Sequence, residues 1–287
     1  MTERAMRSII RRVLVAAPFV ALAACNRDVV TTTDTIEWTG PIADGAQLAF
    51  RSRNGSVTVD SIAGDSAVIT LTVRRPRGVA LPRLEVLRDT ANGIVGCVLF
   101  GEDGTCSVGN YDADRSMRGV SVAAVVRVPR GRRLDVATSN ARITVNAPTA
   151  GAVLRTSNGS IRAVGVAGPL TASSSNGSLR AERVAGPMAL TTSNASIRVI
   201  ADTLVGPIEA SSSNGSITAW LPPTAAARLS MSTSNGSASL DLPGNVTART
   251  RTTLDAVLGA GTHAVTMRSS NGSVSVKARS EAPDDDN

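Results

Sequence analysis

A Ser-Asn pair returns along this chain at Asn140, Asn158, Asn176, Asn194, Asn214, Asn235 and Asn271, at spacings of 18, 18, 18, 20, 21 and 36 residues. An earlier copy stands at Asn54. A fixed period of this length marks a repeat architecture, in which each unit buries its apolar face against its neighbours. Five of the seven continue as Asn-Gly-Ser, Asn194 as Asn-Ala-Ser and Asn140 as Asn-Ala-Arg. The 36-residue step reads as two periods with one degenerate unit between them.

Alignment on the Asn exposes a two-residue alternation on both sides. Four before it stand Val136, Leu154, Ala172, Leu190, Ala210, Met231 and Met267. Three after it stand Ile143, Ile161, Leu179, Ile197, Ile217, Ala238 and Val274. Period two means strands with one buried face. A second breaker follows in each unit, at Pro148, Gly168-Pro169, Gly186-Pro187, Gly206-Pro207, Pro222-Pro223 and Pro243-Gly244. Each unit is therefore strand, corner, strand, corner.

Two architectures fit. Asn-Gly between alternating strands is a strong hairpin signal and would give an antiparallel meander or sandwich. Alternatively, each unit is one coil of a parallel β-solenoid, its equivalent residues stacked about 4.8 Å apart. The tight hairpin turn needs positive φ at both central residues, yet Ala141 and Ala195 replace the glycine. The Asn also falls in phase with the buried face, where stacked amides would form a hydrogen-bonded ladder. Both observations favour an all-β solenoid with an interior Asn ladder.

Composition agrees with a thin core. Of 287 residues 42% are hydrophobic, yet the aromatics are only Phe19, Trp38, Phe50, Phe100, Tyr111 and Trp220. Aliphatic side chains must fill the interior that aromatic anchors usually dominate.

The first residues read as an export signal. Arg4, Arg7, Arg11 and Arg12 precede an apolar stretch, Val13 to Leu22, too short to span a bilayer as a helix. The stretch ends in Leu22-Ala23-Ala24-Cys25, which resembles a bacterial lipobox. That resemblance implies cleavage before Cys25 and acylation of its thiol and new amino group, an ordinary secretory signal being the alternative. The expected organisation is a signal peptide over 1–24, a tether over 25–35, a repeat body over 36–279 with an inserted loop at 79–118, and an acidic tail over 280–287. Export makes Cys97 and Cys106 most simply a disulfide, with free thiols as the alternative.

Net charge is +7, with 29 Arg and the single Lys277, and falls to +4 once residues 1–24 are removed. Scarce aromatics for base stacking argue against nucleic acid as the partner, and favour acidic polysaccharide or lipid headgroups. One outward position is basic in three consecutive units: Arg162, Arg180 and Arg198. Stacked, they would form a stripe suited to an anionic polymer, or simply a charged face that keeps a long sheet soluble.

Catalytic signatures are missing. There is no nucleophile elbow, zinc-binding His-Glu-x-x-His, phosphate-cradling loop or calcium-binding repeat, so no cofactor or metal is expected. His263 is the only histidine. The acidic residues Asp60, Asp135, Asp202, Asp241 and Asp255 are scattered and do not all recur at one repeat position. Glu102, Asp103, Asp112 and Asp114 read as a solvated loop, without calcium-ligand spacing.

The units Thr156-Ser157-Asn158-Gly159-Ser160-Ile161 and Ser213-Asn214-Gly215-Ser216-Ile217 resemble the bacterial putative adhesin family of β-helical repeat domains. Ile36-Glu37-Trp38-Thr39-Gly40, with Leu48 and Asn54-Gly55-Ser56-Val57, resembles its opening coil, and Val128-Pro129-Arg130-Gly131 before Leu134 its central strand-turn. The likeness spans residues 36 to 279 and implies a β-solenoid, without specifying any chemistry. The expected role is a non-catalytic, lipid-anchored binding or scaffold module of the cell envelope, contacting the membrane through Cys25 and an acidic polysaccharide or an envelope protein. A polysaccharide-processing enzyme and an envelope signalling partner are the alternatives.

Overall fold

The structure, a computed structural model, describes residues 31–88, 93–107, 110–113 and 119–283. The signal peptide, Cys25, the first part of the tether, Asp114 and residues 284–287 lie outside the described residues. Strands carry the fold, and the one helical element described is a 3-10 turn at Arg279–Glu281. Among the described residues no helix is long and apolar enough to cross a membrane.

The chain opens with β1 (Thr31–Pro41), β2 (Gln47–Arg51), β3 (Val57–Ile62) and β4 (Ser66–Pro76). Then come β5 (Arg83–Arg88), β6 (Ile94–Leu99), the short β7 (Thr105–Cys106) and β8 (Tyr111–Asp112), and β9 (Ser121–Pro129). The repeats follow as strand pairs: β10 (Arg133–Ala137) with β11 (Ile143–Asn146), β12 (Gly151–Thr156) with β13 (Ile161–Val164), and β14 (Leu170–Ser174) with β15 (Leu179–Glu182). The next are β16 (Met188–Thr192) with β17 (Ile197–Ile200), and β18 (Ile208–Ser212) with β19 (Ile217–Leu221). The chain closes with β20 (Ala227–Thr233), β21 (Ala238–Leu240), β22 (Asn245–Arg249), β23 (Thr253–Leu258), β24 (His263–Ser269) and β25 (Val274–Ala278).

Two long sheets result. The first strand of each pair joins a 12-stranded sheet and the second an 11-stranded sheet, and each repeat strand pairs in parallel with its equivalent in the next coil. This is a parallel β-solenoid, and the hairpin alternative is excluded by the register: Leu154 lies opposite Ala172 one coil away. The apolar positions four before and three after each Asn face each other inside, as Leu154 and Ile161 do. Glycine at most of the Asn corners answers to something other than turn conformation. A Cβ on Gly177 would stand 1.6 Å from the Gly159 carbonyl oxygen, and neither glycine has positive φ. A side chain at such a corner crowds the backbone of the neighbouring coil, so glycine is favoured there, with Ala141 and Ala195 as the two exceptions.

Both ends depart from simple repetition. At the N-terminal end β9 runs parallel to β3, while β4 and then β1 add antiparallel strands beyond it. Residues 83–88 and 94–99, inside the segment expected to be an inserted loop, are strands of the 12-stranded sheet. β6 is buried throughout because both its faces are covered. Its outer face, with Ala49, Val95, Cys97 and Leu99, forms a small second core under Cys106 and Tyr111. At the C-terminal end coil order departs from chain order. β24 lies between β18 and β20, and β25 between β19 and β21. Residues between Asn235 and Asn271 therefore hold no degenerate coil. β22 and β23 instead extend one sheet antiparallel beyond β20.

Candidate binding surface

The Asn corner is built from inside outward. The residue two before each Asn of the repeat is the buried one: Thr138, Thr156, Ser174, Thr192, Ser212, Thr233 and Ser269. Ser174 Oγ accepts the Gly177 N–H at 2.8 Å and donates to the Gly159 carbonyl at 3.0 Å, and Ser269 repeats this with Gly272 and Gly215, both at 2.9 Å. Thr156, Ser212 and Thr233 likewise serve their own corner and the preceding one, while Thr192 donates to the Gly177 carbonyl alone. The Asn side chains do form one ladder, but it is exposed, which corrects the expectation of an interior one. A hydroxyl can serve two buried backbone groups in the space available, whereas the longer amide reaches only its outer neighbours. Asn140 Nδ2 donates to Asn54 Oδ1, Asn158 to Asn140, Asn176 to Asn158, Asn194 to Asn176 and Asn214 to Asn194, at 2.6–2.9 Å. The ladder then passes to Asn271 and ends at Asn235, each bond 2.6 Å, following coil order.

The outer face of the 11-stranded sheet carries the three arginines. Arg162 stands opposite Arg180, and Arg180 opposite Arg198, on β13, β15 and β17. The row continues as Thr144 on one side and Thr218 on the other. The three do stack, but they are not a uniform line of exposed charge. Glu182, on the same face two residues after Arg180, is buried to 2% exposure between two of them. Its Oε1 accepts from Arg162 Nε at 3.1 Å and also from Arg180 Nε. Arg-Ala-Glu at 180–182 is the signal that locates this carboxylate, since period two puts both ends of the triplet on one face.

Arg183 follows in the corner with φ 50°, the one non-glycine residue of positive φ among those described. One coil earlier the same place is taken by Gly165, φ 73°. A bulky residue held there is strained, by about 1–3 kcal/mol. Arg183, Arg162, Asn146, Pro148, Val164 and Gly165 line an open recess of about 410 Å³. Arg183 and Arg198 are exposed and make no ion pair with a described residue.

Four of the five scattered aspartates are engaged structurally, Asp255 having no side-chain bond to a described residue. Asp135 binds Arg51 at 2.9 Å and Arg155 at 3.2 Å, and Asp202 binds Arg279 at 2.7 Å. Asp60 accepts from Asn146, and Asp241 lies 3.9 Å from Lys277. Among the described residues no group of His, Cys, Asp and Glu is placed to hold a metal ion. His263 sits at the start of β24 beside Ala227. Cys97 and Cys106 are joined by a disulfide. Beside it Tyr111 donates to the Val98 carbonyl at 2.8 Å.

A family profile described as Toastrack DUF4097 matches residues 132–277. No curated protein matches the chain. Among solved structures, a putative adhesin from Bacteroides fragilis is 13% identical, with TM-score 0.39 over 85% of this chain and 97% of its own. One from Parabacteroides distasonis is 11% identical, with TM-score 0.39 over 87% of this chain and 98% of its own. A putative cell adhesion protein from Clostridium sporogenes is 8% identical, with TM-score 0.35 over 85% of this chain and 100% of its own. The profile covers the coils from Arg132 to Lys277, more than half of the sequence, and the chain belongs to the Toastrack DUF4097 family of β-repeat domains.

Proposed function

We propose that this protein is a non-catalytic binding module of the bacterial cell envelope, held to a membrane by acyl chains on Cys25, and that its outer Arg row takes an acidic polymer. The leader supports export and anchoring: four arginines, a short apolar stretch, and Leu22-Ala23-Ala24-Cys25. The engagement of Asp60, Asp135, Glu182, Asp202 and Asp241 in ion pairs and hydrogen bonds supports a role without acid–base chemistry.

The observation that carries the ligand reading is the in-register stack of Arg162, Arg180 and Arg198, with Arg183 beside it. Of the four guanidinium groups only those of Arg162 and Arg180 bind Glu182, so the patch keeps a surplus of positive charge, with the stacked arginines roughly 4.8 Å apart per coil. A polyanion lying along the solenoid axis would relieve that repulsion and release its own counterions.

The test is binding of the soluble form, residues 26–287, to acidic and neutral envelope polymers at low and physiological salt. Arg183→Glu with Arg198→Glu is the informative variant, because neither residue holds Glu182. Salt-sensitive binding to acidic polymers that the double variant abolishes supports the reading. Binding that the variant leaves unchanged removes this surface from it, and binding to no polymer directs the search to a scaffold role with protein partners.

A further inference from the structure

We infer that the turn from Pro76 to Pro82, at the N-terminal end of the solenoid, rests on the anionic surface of the bilayer and orients the body on it. The inference depends on the acylation of Cys25 proposed above. Only residues 26–30 separate that cysteine from Thr31, the first residue of β1. Even fully extended, that stretch reaches about 20 Å. Whatever surrounds Thr31 must therefore lie close to the membrane.

Thr31 stands opposite Pro76, where β4 ends and the turn begins. The turn folds back on itself: Val79 N–H donates to the Pro76 carbonyl at 3.2 Å, and the Arg75 guanidinium donates to the Val79 carbonyl. Its composition suits a lipid surface. Arg74 and Arg77 are exposed and form no ion pair with a described residue, while Arg83, just beyond, has only Glu85 at 3.6 Å. Between them Leu81 is 42% exposed, beside the half-buried Val79. Arginines flanking an exposed apolar side chain match anionic headgroups above acyl chains.

Exposed large apolar residues also supply the controls. Among the described residues they are Leu81, Val205 and Val246. Leu81 precedes β5 at one edge of the 12-stranded sheet, and Val246 is on β22 at the opposite edge. Eleven strand spacings place these edges roughly 50 Å apart. Val205 lies between them, in the corner between β17 and β18.

The experiment uses the full acylated chain, reconstituted in phosphatidylcholine vesicles with and without phosphatidylglycerol, the acyl chains brominated to quench tryptophan. Leu81→Trp, Val205→Trp and Val246→Trp are compared against the parent, whose Trp38 and Trp220 are buried. The expected result is strong quenching of Leu81→Trp in phosphatidylglycerol vesicles and none above the parent for Val246→Trp. Each Arg near such a surface contributes about fivefold to partition, so Arg74→Glu with Arg77→Glu lowers the docked population more than about tenfold. Equal quenching at Leu81 and Val246, or quenching at Leu81 that ignores phosphatidylglycerol and the two reversals, overturns the inference and leaves anchoring intact. Vesicle flotation and the intact mass report on anchoring separately. A chain without acyl mass that fails to float removes the anchor and this inference together.

Discussion

The hydroxyl of Ser174 donates to the carbonyl of Gly159, one coil earlier, while the amide of Asn176 two residues on bonds only to its exposed neighbours. One residue pair thus separates two ladders that share a corner: a buried one of hydroxyls and a solvated one of amides.

Ser174→Ala leaves the buried Gly159 carbonyl and Gly177 N–H without their partner, and is expected to lower stability by about 2–3 kcal/mol. Asn176→Ala removes bonds that water replaces, and is expected to lower it by less than about 1 kcal/mol. Urea-unfolding midpoints of the two variants check the order, and equal losses would mean that the outer ladder supports the corner as much as the inner one.

Glu182→Gln keeps the shape of the side chain and removes the charge that Arg162 and Arg180 share. Removing one partner of a buried ion pair destabilises by about 3 kcal/mol. Thermal unfolding should show a lower Tm for the variant, and added sulfate should restore part of it by occupying the basic patch.

Burial pushes the Tyr111 phenol well above its ordinary value of 10.0, with the Asp112 charge adding to the shift and the Arg53 charge opposing it. A folded-state pKa above the unfolded one means the folded chain holds its proton more tightly. Tyr111 therefore contributes its full stability below pH 10 and loses it progressively as pH rises beyond. Absorbance at 295 nm should show no tyrosinate while the chain is folded at pH 10–11, and Tyr111→Phe should flatten the loss of stability above pH 10.

Ending the chain at Thr262 removes β24 and β25, which lie inside the stack. Simple loss of a terminal coil would leave the remaining coils paired. Here the cut parts β18 from β20 and β19 from β21, so hydrogen exchange should rise in Ile208–Leu221 as well as in Ala227–Leu240.

Some of the site was legible before any coordinates. Period two around each Asn located the inward residues, and Arg162, Arg180 and Arg198 do share one outward row. Glu182 is only weakly marked, because the place six after each Asn holds Asp60 and Asp241 but also Asn146, Val164 and Ile200, and nothing local says that a single carboxylate will be buried by arginines from two coils. Ile94-Val95-Gly96-Cys97-Val98-Leu99 carried a usable signal: an unbroken apolar run of six marks a strand covered on both faces. Because it lies within a segment that breaks the repeat, the repeat pattern alone assigns it to a loop.

The period and the alternation determine by themselves that each unit is two strands with inward faces joined by corners, because each requires only a residue's own geometry and that of its near neighbours. Tertiary structure decided what depends on distant segments meeting. The order Asn214, Asn271, Asn235 rests on a C-terminal coil that fits between two others, and every Asn-Gly-Ser corner offers it the same stacking surface. Identical units specify how coils stack but not which coil stacks on which, and here β23 and β22 cover the free edge of β20 while β24 fills the place between β18 and β20.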